Sequence, residues 1–281
     1  MTHTPDFHSA PPSFFPRTVS LLILALLCGP AACGDRDKPV RDDIALAEDA
    51  LHRRDIDDAK MYFERYLRKN PDSPRRWQVW QQLLAISLDL RQDRATARGY
   101  LEIMLREFEH DPEKRRSIQL PLARICRETY DFERAALLWE ALAKDPGTPD
   151  AVKAGVYIDL AKIYLRRLEF TPATDILTMC MRLKVNIARK ADCLYALGEA
   201  QIFTENLEEA EAALRAAIAL EGVPENRRDM SVFLLADILE QRGRRAEAIA
   251  LFESIRGTYP NEKVLEMRLS RLRTMKPRGT P

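Results

Sequence analysis

Six alanines set the period of this chain. Ala59, Ala97, Ala135, Ala173, Ala210 and Ala248 follow one another at intervals of 38, 38, 38, 37 and 38 residues. Twelve residues before each stands a small residue: Ala47, Ala85, Ala123, Ala161, Gly198 and Ala236. A leucine immediately precedes every one of these, at positions 46, 84, 122, 160, 197 and 235. Four residues after each alanine comes a large apolar residue: Phe63, Leu101, Trp139, Leu177, Leu214 and Phe252. Three further on stand Tyr66, Met104, Leu142, Cys180, Ala217 and Ile255. A chain that repeats five positions six times builds one supersecondary unit and stacks it.

The spacing within a unit is helical. An alanine with apolar residues four and seven places later marks one face of a helix, and the leucine–small pair belongs to a helix before it. A small residue on each helix lets the backbones approach, and the large residue fills the space beside them. Polar turns separate the two helices: RRDID at 53–57, ETYDF at 128–132, RLEFT at 167–171, TENLE at 204–208 and QRGRR at 241–245. Thr171-Pro172 reads as an N-cap followed by proline at the first helical position. Pro71, Pro112, Pro146 and Pro260 read as closing the second helices, since proline cannot continue one. Repeat two is the least typical, with Trp77 and Trp80 near its start and no proline directly at its end. Residues 261–275, NEKVLEMRLSRLRTM, put Val264, Leu265, Met267, Leu269, Leu272 and Met275 along one stripe, as a helix covering the last open repeat would. The tail KPRGTP is expected to be disordered.

The leucine–small pair, the central alanine, the large residue and the closing proline resemble the tetratricopeptide repeat family over roughly residues 40–262. The best matching segments are YIDLAKIYLRRLEFTPATDIL (157–177), DFERAALLWEALAKDP (131–146) and LLADILEQRGRRAEAIALFESIRGTYP (234–260). The family repeat is about 34 residues long, so each unit here carries about four more, expected in longer helices or inter-repeat loops. The resemblance implies an all-α, right-handed superhelical solenoid of about six helix pairs over 41–262, with a capping helix and tail over 263–281. It also implies an inner groove lined by the first helices, where peptides bind.

Composition limits the alternatives. With 44 basic against 43 acidic residues the net charge is +1, which argues against bulk nucleic-acid binding. Ten glycines in 281 residues disfavour a turn-rich β fold or a glycine-rich phosphate loop. His52 and His110 lie in different repeats with no partner at ligand spacing, so no metal site is expected. HRRD at 52–55 lacks the other motifs of a kinase and falls in an inter-helix turn. There is no serine elbow either, so no catalytic residue, cofactor or small-molecule substrate is assigned.

The amino-terminal segment carries an address. TVSLLILALLCG (18–29) is about half the length of a spanning helix, follows Arg17 and precedes small residues, the parts of a secretory signal. Gly29-Pro30-Ala31-Ala32-Cys33 resembles a bacterial lipobox, which makes residues 1–32 the signal and Cys33 the lipidated first residue. Pro30 stands where that pattern prefers leucine. Ordinary cleavage near Ala32 and an uncleaved anchor are the alternatives. Leu26 and Leu27 make Cys28 a poor candidate. Residues 33–40 form a short tether to the repeats, and the expected site is a periplasm-facing membrane, the outer in preference to the inner.

Three cysteines follow. Cys126 occupies a packed position. Cys180 and Cys193 lie on consecutive antiparallel helices, nearly equidistant from the turn between them, which leaves two readings: a disulfide in an oxidising compartment, or two packed thiols.

By the family resemblance, groove-facing positions lie three before the small residue and one, four and five after it. Repeats three and four place Arg124, Arg127, Lys162 and Arg166 there, with Tyr195, Ile202 and Phe203 as apolar anchors beside them. Glu199, Asp237 and Glu240 give the far end an acidic character. A protein or peptide partner with an acidic stretch is expected. The alternative is a mixed solvated surface with internal ion pairs. The reading is a membrane-tethered interaction scaffold of the bacterial envelope; an intracellular or simply anchored adaptor, and more remotely an envelope enzyme, are the competing functions.

Overall fold

The computed structural model of the chain describes residues 42–274. Cys28, Pro30, Cys33, the tether and the tail 275–281 lie outside the described residues. Among the described residues there are thirteen α-helices and no strand. Twelve form six pairs: α1 (Asp43–His52) with α2 (Ile56–Lys69), α3 (Arg76–Ala85) with α4 (Arg94–Glu107), α5 (Pro112–Glu128) with α6 (Phe132–Lys144), α7 (Asp150–Arg166) with α8 (Phe170–Cys180), α9 (Ile187–Phe203) with α10 (Leu207–Ala219), and α11 (Glu225–Gln241) with α12 (Arg245–Ser254). The thirteenth, α13 (Glu262–Thr274), covers the last pair. Each helix packs on its sequence neighbours, and α9 also touches α7 and α11.

The repeat positions are the core. Every spacing alanine, and every residue four and seven places after it, is buried. The small residues Ala47, Ala123, Ala161 and Ala236 are buried against the second helices, as is Gly198. Gly198 shows how tight the approach is: a Cβ added there would stand 2.8 Å from Leu214 Cγ.

Repeat two breaks the register. Ala85 is exposed, while Leu83, Ile86 and Ser87 are buried. The core positions of α3 fall one residue earlier than the sequence period places them, and the surplus residue is taken up in a π-helical turn at Ile86–Leu90. A widened turn is the usual way a helix absorbs one extra residue. Counting back from Ala97 hides the slip, because the extra residue lies between the helix and the alanine.

The turns inside the pairs share one conformation. Arg54, Gln92, Tyr130, Leu168, Glu205 and Gly243 all have positive φ, between 52° and 77°. Each is the left-handed residue that ends a first helix, and the next N–H reaches back to a carbonyl near the helix end. Asp55 N donates to Ala50 O, Asp131 N to Cys126 O and Arg244 N to Leu239 O, each at 2.8 Å. In repeat two the bond from Asp93 N goes to Ser87 O, as the π turn requires. That same next residue opens the second helix, and the Asp55, Asp93 and Asp131 carboxylates cap the N–H groups of Asp58, Thr96 and Arg134.

Several local expectations change. The cap of α8 is Glu169, so Thr171 and Pro172 lie inside its first turn, where a missing N–H costs nothing. Pro112 is the first residue of α5, opening a helix instead of closing one. On α13, Leu265, Leu269 and Leu272 are buried but Met267 points outward.

Arginines join adjacent repeats. Arg134 pairs with Glu102 at 2.7 Å, Arg94 with Glu128 at 2.8 Å and Arg167 with Glu133 at 2.7 Å. Arg98 also pairs with Asp131, and Arg242 and Arg244 both bind the Glu211 carboxylate. A hydrogen bond from Arg98 holds the Asp131 carboxyl below the ordinary range; burial pushes Glu211 upward, but hydrogen bonds from Arg215 and Arg244 outweigh it and hold that carboxyl low as well.

Cys180 and Cys193 are disulfide-bonded, S–S 2.05 Å, with Cα atoms 5.9 Å apart. Both are buried, and Cys126 is a buried free thiol. The bridge ties α8 to α9 across the junction of repeats four and five. There the core narrows to a small cluster of Ala161, Ala173, Leu177, Ala196 and Ala200.

Leu168 is largely exposed and a Cβ added at Gly243 would meet no atom within 4 Å, so their backbones can be tested apart from packing. Leu168→Gly is expected to raise stability by up to about 1 kcal/mol, and Gly243→Ala to lower it by about 1 kcal/mol, read as shifts in the urea midpoint. Alkylation of the unfolded, unreduced chain is expected to modify Cys126 and spare Cys180 and Cys193. The Cys180→Ser/Cys193→Ser pair should then lose about 2–4 kcal/mol.

Candidate functional site

The first helices of repeats three to five, α5, α7 and α9, present three adjoining hollows. The largest, about 390 Å³, lies between α7, α8 and α9. Its apolar lining is Ile158, Ala161, Leu165, Leu177, Ala196 and Phe203, and Lys162, Arg166 and Glu199 supply the polar groups. The alanines of the junction explain it: Ala161 and Ala196 leave unfilled the space that larger side chains would take. A second hollow of about 260 Å³ lies on the other side of α7, with Arg127, Tyr130, Phe132, Asp159 and Ile163 among its walls. A third, about 250 Å³, runs towards the amino ends of α5 and α7 and contains Arg124 and Arg189. Lys162 and Arg166 border both the first and the second hollow, Ile158 the first and third, and Asp159 the second and third. The three are therefore one continuous surface.

Helical spacing places the cations. Lys162 and Arg166 are four residues apart on α7, so their side chains rise from one face a turn apart. Both are exposed, as is Arg124. None of the three forms a salt bridge among the described residues. Arg166 instead lies with its guanidinium carbon 4.9 Å from the centre of the Phe132 ring. Arg127 is different: it is half-buried and pairs with Asp159 at 2.7 Å. Arg127 thus belongs to an internal ion pair; Arg124 and Arg166 form none among the described residues, and Lys162 stands beside the Glu199 carboxyl in the first hollow and favours its charge.

The three aromatic and aliphatic candidates also part company. Phe203 is 65% exposed and walls the largest hollow. Ile202 packs against the core of repeats five and six, as does Tyr195, because on α9 their positions turn towards α10 and α11. Tyr195 donates its hydroxyl to Glu199, and burial together with that carboxylate raises the phenol well above its usual range. The acidic far end is not open either. Arg268 of α13 binds Glu240 at 2.7 Å and also pairs with Asp237, so the capping helix neutralises both.

Sequence spacing misses Tyr130, Phe132 and Leu177. Tyr130 sits at the left-handed turn position, outside the first-helix pattern used to choose groove residues. Its φ of 63° is the signal, since a bulky residue there is unfavourable for the backbone. His52 and His110 stay apart in sequence and fold, and no group of three or more metal-ligating side chains occurs among the described residues. No helix among the described residues is long and apolar enough to cross a membrane.

Glu199 is the one groove carboxyl whose burial dominates: it is raised above its ordinary value of 4.5, with Lys162 and Tyr195 opposing the shift. A carboxyl raised on folding binds its proton more tightly in the folded chain, so stability falls as pH climbs through and above that range. Glu199→Gln keeps an acceptor for Tyr195 and removes the charge. It is expected to raise the urea midpoint near pH 7, with the gain fading towards about pH 4 where the wild-type group is itself protonated.

Comparison with known proteins follows the geometry. The tetratricopeptide repeat family is matched at residues 44–73 and again at 195–263. No curated protein sequence matches the chain. Among solved structures, BtubC (BKLC) from P. vanneervenii aligns over 87% of this chain and 96% of its own, at 16% identity and a TM-score of 0.53. MamA (41-end) from Desulfovibrio magneticus RS-1 covers 70% of this chain and 97% of its own, at 18% identity and a TM-score of 0.52. The putative kinesin light chain TPR-like repeats of Podosopora anserina cover 70% and 98%, at 18% identity and a TM-score of 0.53. At such identities the likeness is one of fold. Two matched segments at opposite ends, with six helix pairs of one period between and around them, make the chain a tetratricopeptide repeat protein.

Proposed function

We propose that this chain is a membrane-tethered scaffold of the bacterial envelope that captures a protein partner through the surface of α5, α7 and α9. The repeat fold supports an interaction scaffold. The bound segment is acidic, with apolar side chains fixing its register. One observation carries this reading: Arg124, Lys162 and Arg166 project along one continuous line of hollows with no carboxylate in salt-bridge contact.

The envelope assignment rests on the amino-terminal sequence, with its short apolar block and Ala31-Ala32-Cys33. A thioether-linked diacyl anchor at Cys33 gives the two chains that stable membrane attachment needs. A disulfide between Cys180 and Cys193 suits an oxidising compartment.

Both halves are tested in one experiment, crosslinking in intact cells followed by fractionation. The wild type is expected to be found in the membrane fraction with a specific crosslinked partner. Cys33→Ala should move the chain out of that fraction and abolish incorporation of labelled acyl chains. Arg124→Glu/Lys162→Glu/Arg166→Glu should keep the membrane location and lose the partner, with Arg127 left in its pair with Asp159. Undiminished capture by the triple variant would overturn the groove reading.

A further inference from the structure

The hollows on the two flanks of α7 have a spacing as well as a chemistry. On one flank lies the apolar hollow walled by Phe203; on the other lies the aromatic one walled by Tyr130 and Phe132. Between them stand Lys162 and Arg166, shared by both. Packed helices lie about 8–10 Å apart, so two hollows straddling one helix are separated by about the same distance. An extended chain of the polyproline type advances about 3.1 Å per residue and returns to the same side every third residue, about 9 Å on. Residues i and i+3 of such a segment enter the two hollows, and i+1 and i+2 cross the cation ridge.

We infer that this groove recognises the pattern apolar–acidic–acidic–apolar in an extended segment, the two apolar side chains seated on either side of α7 and the two carboxylates on Lys162 and Arg166. The inference rests on the groove reading above and specifies its ligand. Size favours an extended ligand over a helix. Hollows of about 390 and 260 Å³ separated by a ridge admit single side chains, whereas a helix about 10 Å across needs an unbroken trough.

The walls carry a second sign of use. Tyr130 is 78% exposed and stands at φ 63°, where glycine is the residue the backbone prefers. Its ring meets the fold only edge-on, 6.0 Å from Phe132. The conformation is common to the intra-pair turns, but here it sets an exposed aromatic ring at the rim of the second hollow. Phe203 is likewise exposed, two repeats further on.

The test uses fluorescein-labelled peptides with glycine–serine flanks and the full chain in detergent, read by anisotropy. Phe-Glu-Glu-Phe is the reference. Comparators hold the phenylalanines at i,i+2 or i,i+7, or replace both glutamates by glutamine. The reference is expected to bind at least about tenfold tighter than each comparator, and Tyr130→Ser or Phe203→Ser to weaken it about tenfold. Both substitutions are at exposed positions, so the fold is kept, as an unchanged circular-dichroism melting curve will confirm. Equal binding whatever the spacing, or a preference for i,i+7, overturns the motif. If that binding is still lost in Arg124→Glu/Lys162→Glu/Arg166→Glu, the acidic-partner groove stands without it. Binding indifferent to the charge reversals as well, or no binding of any peptide, overturns the motif, and undiminished crosslinking by the triple variant separately overturns the groove.

Discussion

In five of the six pairs the distance between the two helices is set by small residues. Where Ala47, Ala123, Ala161, Gly198 and Ala236 meet the second helix, a larger side chain would push the backbones apart. The Leu214 contact with Gly198 leaves no room even for a methyl group. Close approach lets Phe63, Trp139, Leu214 and Phe252 fill the layer between one pair and the next, all buried. The pair is the unit, and its stacking makes an elongated core with no centre. Stability is then distributed, and each arginine bridge between neighbouring repeats adds only a local share.

How far the sequence carries the fold can be followed residue by residue. Period, helix pairing and cap were readable because they follow from burial, and burial forces apolar residues to recur at helical spacing. Ala85 was misplaced because a count of residues cannot see a π turn: the interval between two alanines is the same whether an extra residue lies in a helix or in a loop. Pro112 was misread for a related reason, since proline suits the first turn of a helix as well as the end of one, and Pro172, read as the first helical residue, is the third because proline is tolerated throughout that turn.

The groove was less readable. Position on α7 put Lys162 and Arg166 on an exposed face, because exposure of a helical face is periodic. Whether a charge is free or paired is not periodic, and it depends on which carboxylate a neighbouring helix brings. Asp159 takes Arg127, and Arg268 takes Asp237 and Glu240, so the acidic end inferred from spacing is already occupied. Tyr130 escaped notice because its role comes from a turn conformation, not from a helix face. The turns inside the pairs, which look like mere connectors, also shape the wall of the site.

The sulfur bridge has a mechanical meaning. In a solenoid each repeat is held by its neighbours, so tension applied at one end peels it away a pair at a time. Peeling from the amino-terminal side frees the first three pairs and the fourth up to the last residue of α8 before it reaches Cys180. There the load passes through the bond to α9, bypassing the turn that follows α8. The hollow between α7 and α9 borders that point. A chain hung from its amino terminus with cargo in this groove would hold its load next to the one junction reinforced by a covalent crosslink among its described residues.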